Sequence, residues 1–343
     1  MINPPLRLRL DSNALVENWR WLAGMSGAAS CGAAIKADGY GLGARAVFDR
    51  LVAAGCRDFF VATWGEAQVL GPLPTGISLS VLHGVRDEDM AFAMAAQARP
   101  TLNTVAQVTR WKAAGGGACD VMIDTGMNRL GLSVADVTSG LLAGLQIETL
   151  MSHLVSADEN AAQNVAQQKA FAALRGATDA KRMSLANSAG ICLGSDYAFD
   201  LTRPGLALYG GTPRGETNGH IAQVAYPEAQ ILQRRTVRAG ESVGYNATFT
   251  ATNDMEVAIL NLGYADGYLR GFSGTGAAGN SRFPVIGRVS MDLIVVCVDA
   301  EPALGEGDWL TIDYDLPDAA RVSGLSQYEL LTGLGNRFRR CWT

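Results

Sequence analysis

Short apolar runs recur along the first two thirds of the chain, at residues 33–36, 59–62, 79–82, 99–102, 120–124, 147–152, 183–187 and 199–202. Runs of this length suit buried strands, and the stretches between them read as helices. Two such stretches are Ala44–Ala54 and the Ala- and Gln-rich segment 159–175. Eight strands alternating with helices are what a closed parallel barrel requires, so the pattern predicts a (β/α)8, TIM-type barrel over residues 11–219. Upstream, Arg7–Leu10 alternates polar and apolar as a strand does, and Asp11 or Ser12 can cap a helix carrying Leu15, Trp19 and Leu22. After about Gly219 the period changes. Segments 229–238, 255–261, 284–289, 292–298 and 308–312 are short and β-like, separated by Gly, Asn and Pro. They predict a C-terminal all-β domain over 220–343, to which residues 1–10 are expected to add a strand. Gly271–Gly279 reads as a mobile surface loop.

Composition narrows the partners. A chain of 343 residues, 48% hydrophobic and 18% charged, can bury a barrel core and a second, smaller one. A net charge of −5 and a pI near 5.3 weigh against nucleic acid as a partner. The N-terminal stretch has no long apolar segment, so neither export nor membrane insertion is expected and the location reads as cytoplasmic. The six cysteines stand singly, without a CxxC pair, as reduced thiols do. The three histidines have no HxH or HExxH spacing, so no metal is expected.

Candidate chemistry sits where the predicted strands end, the rim at which barrels of this kind place their active sites. The first run delivers Lys36 into a turn containing Gly39, Tyr40, Gly41 and Gly43. Burial there lowers a lysine's pKa and frees its lone pair for a Schiff base, while the turn offers donors to an anion. The plain alternative is a lysine that snorkels to solvent. The fifth run leads to Arg129, whose planar fork suits a carboxylate and equally suits a structural ion pair. The sixth ends at His153, a residue type often satisfied within a core. The seventh leads to Asn187 and Ser188, an anion site or a plain helix cap. The eighth leads to Arg203, Gly205 and Leu206, where a glycine would let backbone N–H groups approach a phosphate.

Read in order, nine segments carry a resemblance: AAIKADGYGLG, DTGMNRLG, MSHL, ANSAG, TRPGLALYGG, VGYNATFTA, LGYADGYLR, GRVSMDLIVV and YELLTGLGNR. Together they resemble the alanine racemase family, isomerases built as a barrel followed by a β domain. The resemblance implies pyridoxal 5'-phosphate as cofactor, racemisation of L- and D-alanine, and a homodimer with composite active sites. D-alanine would serve cell-wall synthesis or be drawn off for catabolism. Lys36 resembles the lysine that carries the cofactor and acts as one acid–base group. Tyr245 resembles the second such group, reaching the site from the partner subunit. Two bases on opposite faces of the α-carbon exchange its proton without either having to move. His153 resembles the histidine bonded to that tyrosine, and Arg203 the arginine that bonds the histidine and faces the pyridine nitrogen. A permanent cation there disfavours protonation of the ring and limits side reactions.

The resemblance extends to binding. Tyr40, Ser188, Gly205 and Leu206, with Asn187 beside them, match phosphate-holding positions. Arg129 matches an arginine near the substrate carboxylate, Met291 and Asp292 the pair whose backbone meets that carboxylate, and Tyr264 an entrance residue. Three positions depart from the family pattern. Met122 replaces a lysine that many members carry as a carbamate, with Asn128 offering some of the missing polarity near Arg129. Ser290 stands where cysteine is common. Asn336 replaces a tyrosine that packs by the catalytic one, and this bears on substrate breadth. The alternatives are a serine or broader-specificity racemase on the same scaffold and a non-catalytic pyridoxal-phosphate carrier. The β domain with Tyr245 weighs against a carrier.

Overall fold

The computed structural model describes residues 4–343; residues 1–3, the first part of the expected N-terminal strand, lie outside the described residues. The chain forms two compact units. One comprises Val16–Leu208 with Thr212–Ala222, the other the residues through Leu15 together with Tyr209–Gly211 and Gln223–Thr343.

After strand β1 (Leu6–Leu10), which belongs to the second unit, the first unit is built on short strands: β2 (Ser30–Cys31), β3 (Ala33–Ala34), β4 (Asp58–Val61), β5 (Ser78–Val81), β6 (Arg99–Leu102), β7 (Cys119–Met122), β8 (Ile147–Met151), β9 (Arg182–Ser184) and β10 (Leu201–Thr202). Strands β3 to β9 pair in sequence order, all parallel, and β10 pairs in parallel with β2. Backbone bonds from Gly32 to Thr202, Ala34 to Pro204 and Arg203 to Ala186 close the ring. All eight expected barrel strands are present, within a few residues of the apolar runs. The expected helices form, over Ala44–Ala54 and, within the predicted 159–175, over Ala162–Ala172. Gly32 marks the seam, since a Cβ there would meet the Asp58 carbonyl at 2.8 Å.

The second unit is a mostly antiparallel sheet of β1, β11 (Ala225–Val237), β14 (Met255–Leu260), β15 (Ala277–Ala278), β16 (Phe283–Ile286), β17 (Ile294–Cys297), β18 (Trp309–Thr311) and β19 (Arg339–Trp342), in the order β15-β16-β17-β14-β11-β1-β19, with β18 also on β11. A small hairpin, β12 (Ser242–Val243) with β13 (Phe249–Thr250), stands apart. Two short helices, Leu316–Ser323 and Gln327–Thr332, join the sheet; the apolar pattern did not reveal them. The Gly271–Gly279 segment is packed in place of being a free loop. Phe272 stacks on Tyr268, and a Cβ on Gly271 or Gly276 would strike the Ser323 carbonyl at 2.1 Å or the Tyr268 hydroxyl at 2.0 Å. Its glycines serve close packing, a demand that looks like flexibility when only composition is visible.

Candidate active site

Lys36 follows β3 by two residues and opens a left-handed turn. Ala37, Asp38, Gly39 and Tyr40 all have φ between 53° and 63°. Three of them are not glycine, so the turn is strained and needs external support. Glu66 provides it. One carboxylate oxygen accepts from the Ala37 N–H at 2.9 Å, the other from the Ala62 N–H at 2.6 Å, which ties the turn to the end of β4. Asp38 accepts from Ala44 N–H at 2.8 Å and starts the next helix. Sequence reasoning missed Glu66, whose partners lie 29 and 4 residues away.

The Lys36 amine is half-buried among cations. Burial, with Arg129 and Arg203, lowers its pKa below the usual lysine range, and Glu66 opposes the shift. His153, just past β8, is held down to about 3 by burial and by Arg203, Arg129 and Lys36, so its ring is neutral. Arg203 is buried and its pKa is drawn down to about 10 by that burial, with Asp120 opposing. Its Nη1 donates to Ser184 Oγ and its Nη2 to the Ser152 carbonyl at 2.5 Å. The guanidinium thus bonds the two strand ends flanking His153, and its link to the His153 ring is electrostatic. Gln167, almost wholly buried, donates to the His153 carbonyl at 3.0 Å and to Thr125 Oγ1 at 3.2 Å, and accepts from Val155 N–H at 2.9 Å. It fixes the loop that presents the histidine, and only its place on the helix was visible beforehand.

Arg129 stands exposed on a loop organised by Asp124, whose carboxylate accepts from the N–H groups of Gly126, Met127 and Arg129 at 2.8–3.1 Å. Asn128 contributes its backbone, adopting φ 55°, a conformation asparagine tolerates better than most residues. Met122 ends β7 without a charge, so the polarity near Arg129 is carried by the Asp124 loop.

Tyr40, Ser188, Gly205 and Leu206 converge. A Cβ on Gly205 would fall 2.2 Å from the Tyr40 hydroxyl, so only glycine allows this approach. Ser188 Oγ accepts from Gly205 N–H at 2.9 Å and Ala207 N–H at 3.2 Å, and Leu206 opens the buried turn Leu206–Tyr209. Asn187 caps the short helix after β9, accepting from Gly190 N–H at 2.8 Å. The Ser188 and Tyr40 hydroxyls and the cations gathered around Lys36 offer donors to an anion beside a lysine of lowered pKa. That donor set fits pyridoxal 5'-phosphate, with its phosphate group and its aldehyde.

The second unit presents a different set. Tyr245 is 64% exposed on a turn where Gly244, Asn246 and Ala247 all have positive φ. Met291 is 53% exposed, Asp292 and Asn336 are exposed, and Tyr264 is half-buried under the Arg270 guanidinium. Tyr264 and Met291 are joined by backbone, with Tyr264 N–H on the Ser290 carbonyl and Ala265 N–H on the Met291 carbonyl, both at 3.0 Å. Ser290 enters this link only through its backbone.

The alanine racemase N-terminal domain matches residues 10–213, and the alanine racemase C-terminal domain matches 224–342. An alanine racemase of Methylobacterium nodulans is 40% identical, covering 97% of this chain and 95% of that protein. A catabolic alanine racemase of Agrobacterium fabrum is also 40% identical, over 98% of this chain and 91% of that one. The crystal structure of alanine racemase from Bartonella henselae with covalently bound pyridoxal phosphate superposes with a TM-score of 0.91 at 32% identity, covering each chain in full. On full-length sequence and fold alike, the chain belongs to the alanine racemase family.

Proposed function

We propose that this chain is a pyridoxal-phosphate-dependent isomerase that interconverts L- and D-alanine, with Lys36 and Tyr245 as its two acid–base groups. The observation that carries the assignment is the half-buried Lys36 amine of lowered pKa, set among Arg129, Arg203 and the neutral His153 beside an anion cradle. Tyr40, Ser188, Gly205 and Leu206, with Asn187 beside them, would hold the phosphate, and Arg203 would face the pyridine ring. Pyridoxal phosphate supplies an electron sink for the charge left when the substrate's α-proton departs.

Lys36 Nζ takes or returns the proton on one face of the α-carbon. Its lowered pKa keeps a larger neutral fraction near pH 7, as a general base requires. Tyr245 Oη serves the opposite face. Its exposure in the single chain suits delivery into a second subunit's site, so the working form is a homodimer with composite sites. Neutral His153 can accept a hydrogen bond from that tyrosine. Arg129 and the backbone around Met291 and Asp292 orient the substrate carboxylate, Tyr264 lines the approach, and Asn336 adjoins the side-chain pocket.

Among the described residues no helix is long and apolar enough to cross a membrane, and we place the enzyme in the cytoplasm, supplying D-alanine for the cell wall. A chiral assay with L-alanine and L-serine tests the assignment. D-alanine should accumulate to equilibrium, with α-deuterium incorporated from heavy water. Serine turning over faster than alanine would move the assignment to a serine racemase, and absence of α-proton exchange would leave a cofactor carrier.

A further inference from the structure

Arg337 was not among the residues singled out by sequence, yet its guanidinium holds two carboxylates at once. Nε and Nη2 bond the two oxygens of Asp266, each at 2.6 Å, and Nη1 bonds Asp292 Oδ1 at 2.6 Å. Asp266 is fully buried and also accepts from Gly263 N–H at 3.0 Å. These contacts join three segments, 263–267, 290–292 and 333–337, which are also interlocked through their backbones. Gly335 N–H donates to the Asp266 carbonyl at 3.1 Å. A Cβ on Gly263 would strike the Met291 carbonyl at 2.3 Å, and one on Gly267 the Gly333 carbonyl at 2.3 Å. Each segment bears residues assigned to substrate: Tyr264, Met291 with Asp292, and Asn336. These four side chains are exposed or half-buried, so little packing holds them in place.

We propose that Arg337 is a positioning residue for substrate recognition. By clamping Asp266 to Asp292 it sets the register of the Tyr264, Met291 and Asn336 segments and so the fit to the small amino acid's carboxylate and side chain. The guanidinium matters for its fork: three N–H groups in one plane reach two carboxylates, which a lysine ammonium cannot reproduce in the same geometry. Asp266 needs this partner most, because a buried carboxylate without one is costly. The inference rests on the racemase reading for its kinetic consequence but not for its structural one.

The test uses the cofactor-loaded enzyme and the variants Arg337→Met, Arg337→Lys, Asp292→Asn and the Arg337→Met/Asp292→Asn double variant. Removing a charge-assisted bond is expected to raise KM for both alanine enantiomers about tenfold in Arg337→Met, with a smaller change in kcat. Arg337→Lys should fall between wild type and Arg337→Met, and it carries the test if the methionine variant does not fold. The double variant should be no worse than Arg337→Met alone, since Asp292 acts through the same clamp. Additive effects, or unchanged KM in folded Arg337→Lys and Arg337→Met, would overturn the proposal. Hydrogen exchange gives a reading without turnover. Amides 263–267 and 290–292 should exchange faster in the Arg337 variants, and only 290–292 in Asp292→Asn. Unchanged exchange would overturn the clamp whatever the enzyme's substrate, whereas an inactive wild type with this exchange pattern would overturn the racemase reading alone.

Discussion

The barrel and the β unit hold their candidate residues in opposite ways. In the barrel, Tyr40, Ser188, Arg203, Gly205 and Leu206 are buried, and Lys36 and His153 half-buried, with neighbours that fix them from several sides. In the β unit, Tyr245, Met291, Asp292 and Asn336 are exposed, with Asp292 held by Arg337 and the Met291 segment by backbone pairing. A buried charged set acquires its pKa values within one chain. An exposed tyrosine acquires a catalytic environment only when another surface covers it. The barrel residues are set electrostatically within the chain, whereas those of the β unit are set only in backbone position.

Removing Lys36 should have the largest effect. Lys36→Ala is expected to abolish racemisation and the borohydride-reducible attachment of the cofactor, read by absorbance and mass. Retained attachment would mean that the buried set had been misread. Tyr245→Phe should bind cofactor normally while losing ~10²–10⁴-fold in rate on one face of the substrate, the usual worth of a general acid–base group. Mixing Lys36→Ala with Tyr245→Phe chains sharpens the comparison, because heterodimers regain one intact site only if Tyr245 serves its partner. Gly205→Ala places a methyl against the Tyr40 hydroxyl, 2.2 Å from the position of its oxygen. Overpacking of this kind commonly costs about 1–3 kcal/mol, so cofactor affinity should fall roughly ten- to hundredfold by titration.

Smaller effects are expected at Asn336 and His153. Asn336→Tyr should raise the alanine-to-serine ratio up to about tenfold, the worth of one hydrogen bond to the serine hydroxyl. An unchanged ratio would confine Asn336 to the rim's shape. His153 moves from an ordinary 6.5 down to about 3 in the fold. Between those values the unfolded chain binds a proton that the folded chain refuses, so stability falls as pH drops through that window. Melting curves from pH 7 to pH 4 should decline less steeply for His153→Gln than for wild type; parallel declines would show the ring to be freely protonated.

The barrel was legible because its strands are continuous apolar runs and its candidate residues sit directly after them, as at Lys36, His153 and Arg203. The β unit was less so. Strand β11 begins at Ala225, four residues before the predicted start, because Pro227 and Glu228 interrupt the alternation; Glu228 is nevertheless buried, paired with Arg7 and Arg9 of β1. The helices Leu316–Ser323 and Gln327–Thr332 are too short for a periodic signal to emerge. The Asp266–Arg337 pair spans 71 residues, and no local pattern announces a contact at that distance. Motif resemblance singled out Tyr264, Met291, Asp292 and Asn336 as candidates but gave no sign of the Arg337 contacts behind them.

Strand β1 lies between β11 and β19, with Arg7 opposite both Glu228 and Arg339. Strands β3 to β9 pair in chain order, so most of the barrel can assemble as it emerges from the ribosome, and β10 closes it on β2 at residues 201–202. The sheet cannot: β1 must wait for residue 225 to begin pairing with β11 and for residue 339 to pair with β19, which at ~5–20 residues per second means tens of seconds of translation. Until β11 is made, Leu6, Leu8 and Leu10, all buried in the finished sheet, have no strand partner, and β19 completes the pairing only at the end. Arg7 and Arg9 between them are placed as charged gatekeepers that discourage strand-to-strand association among nascent chains.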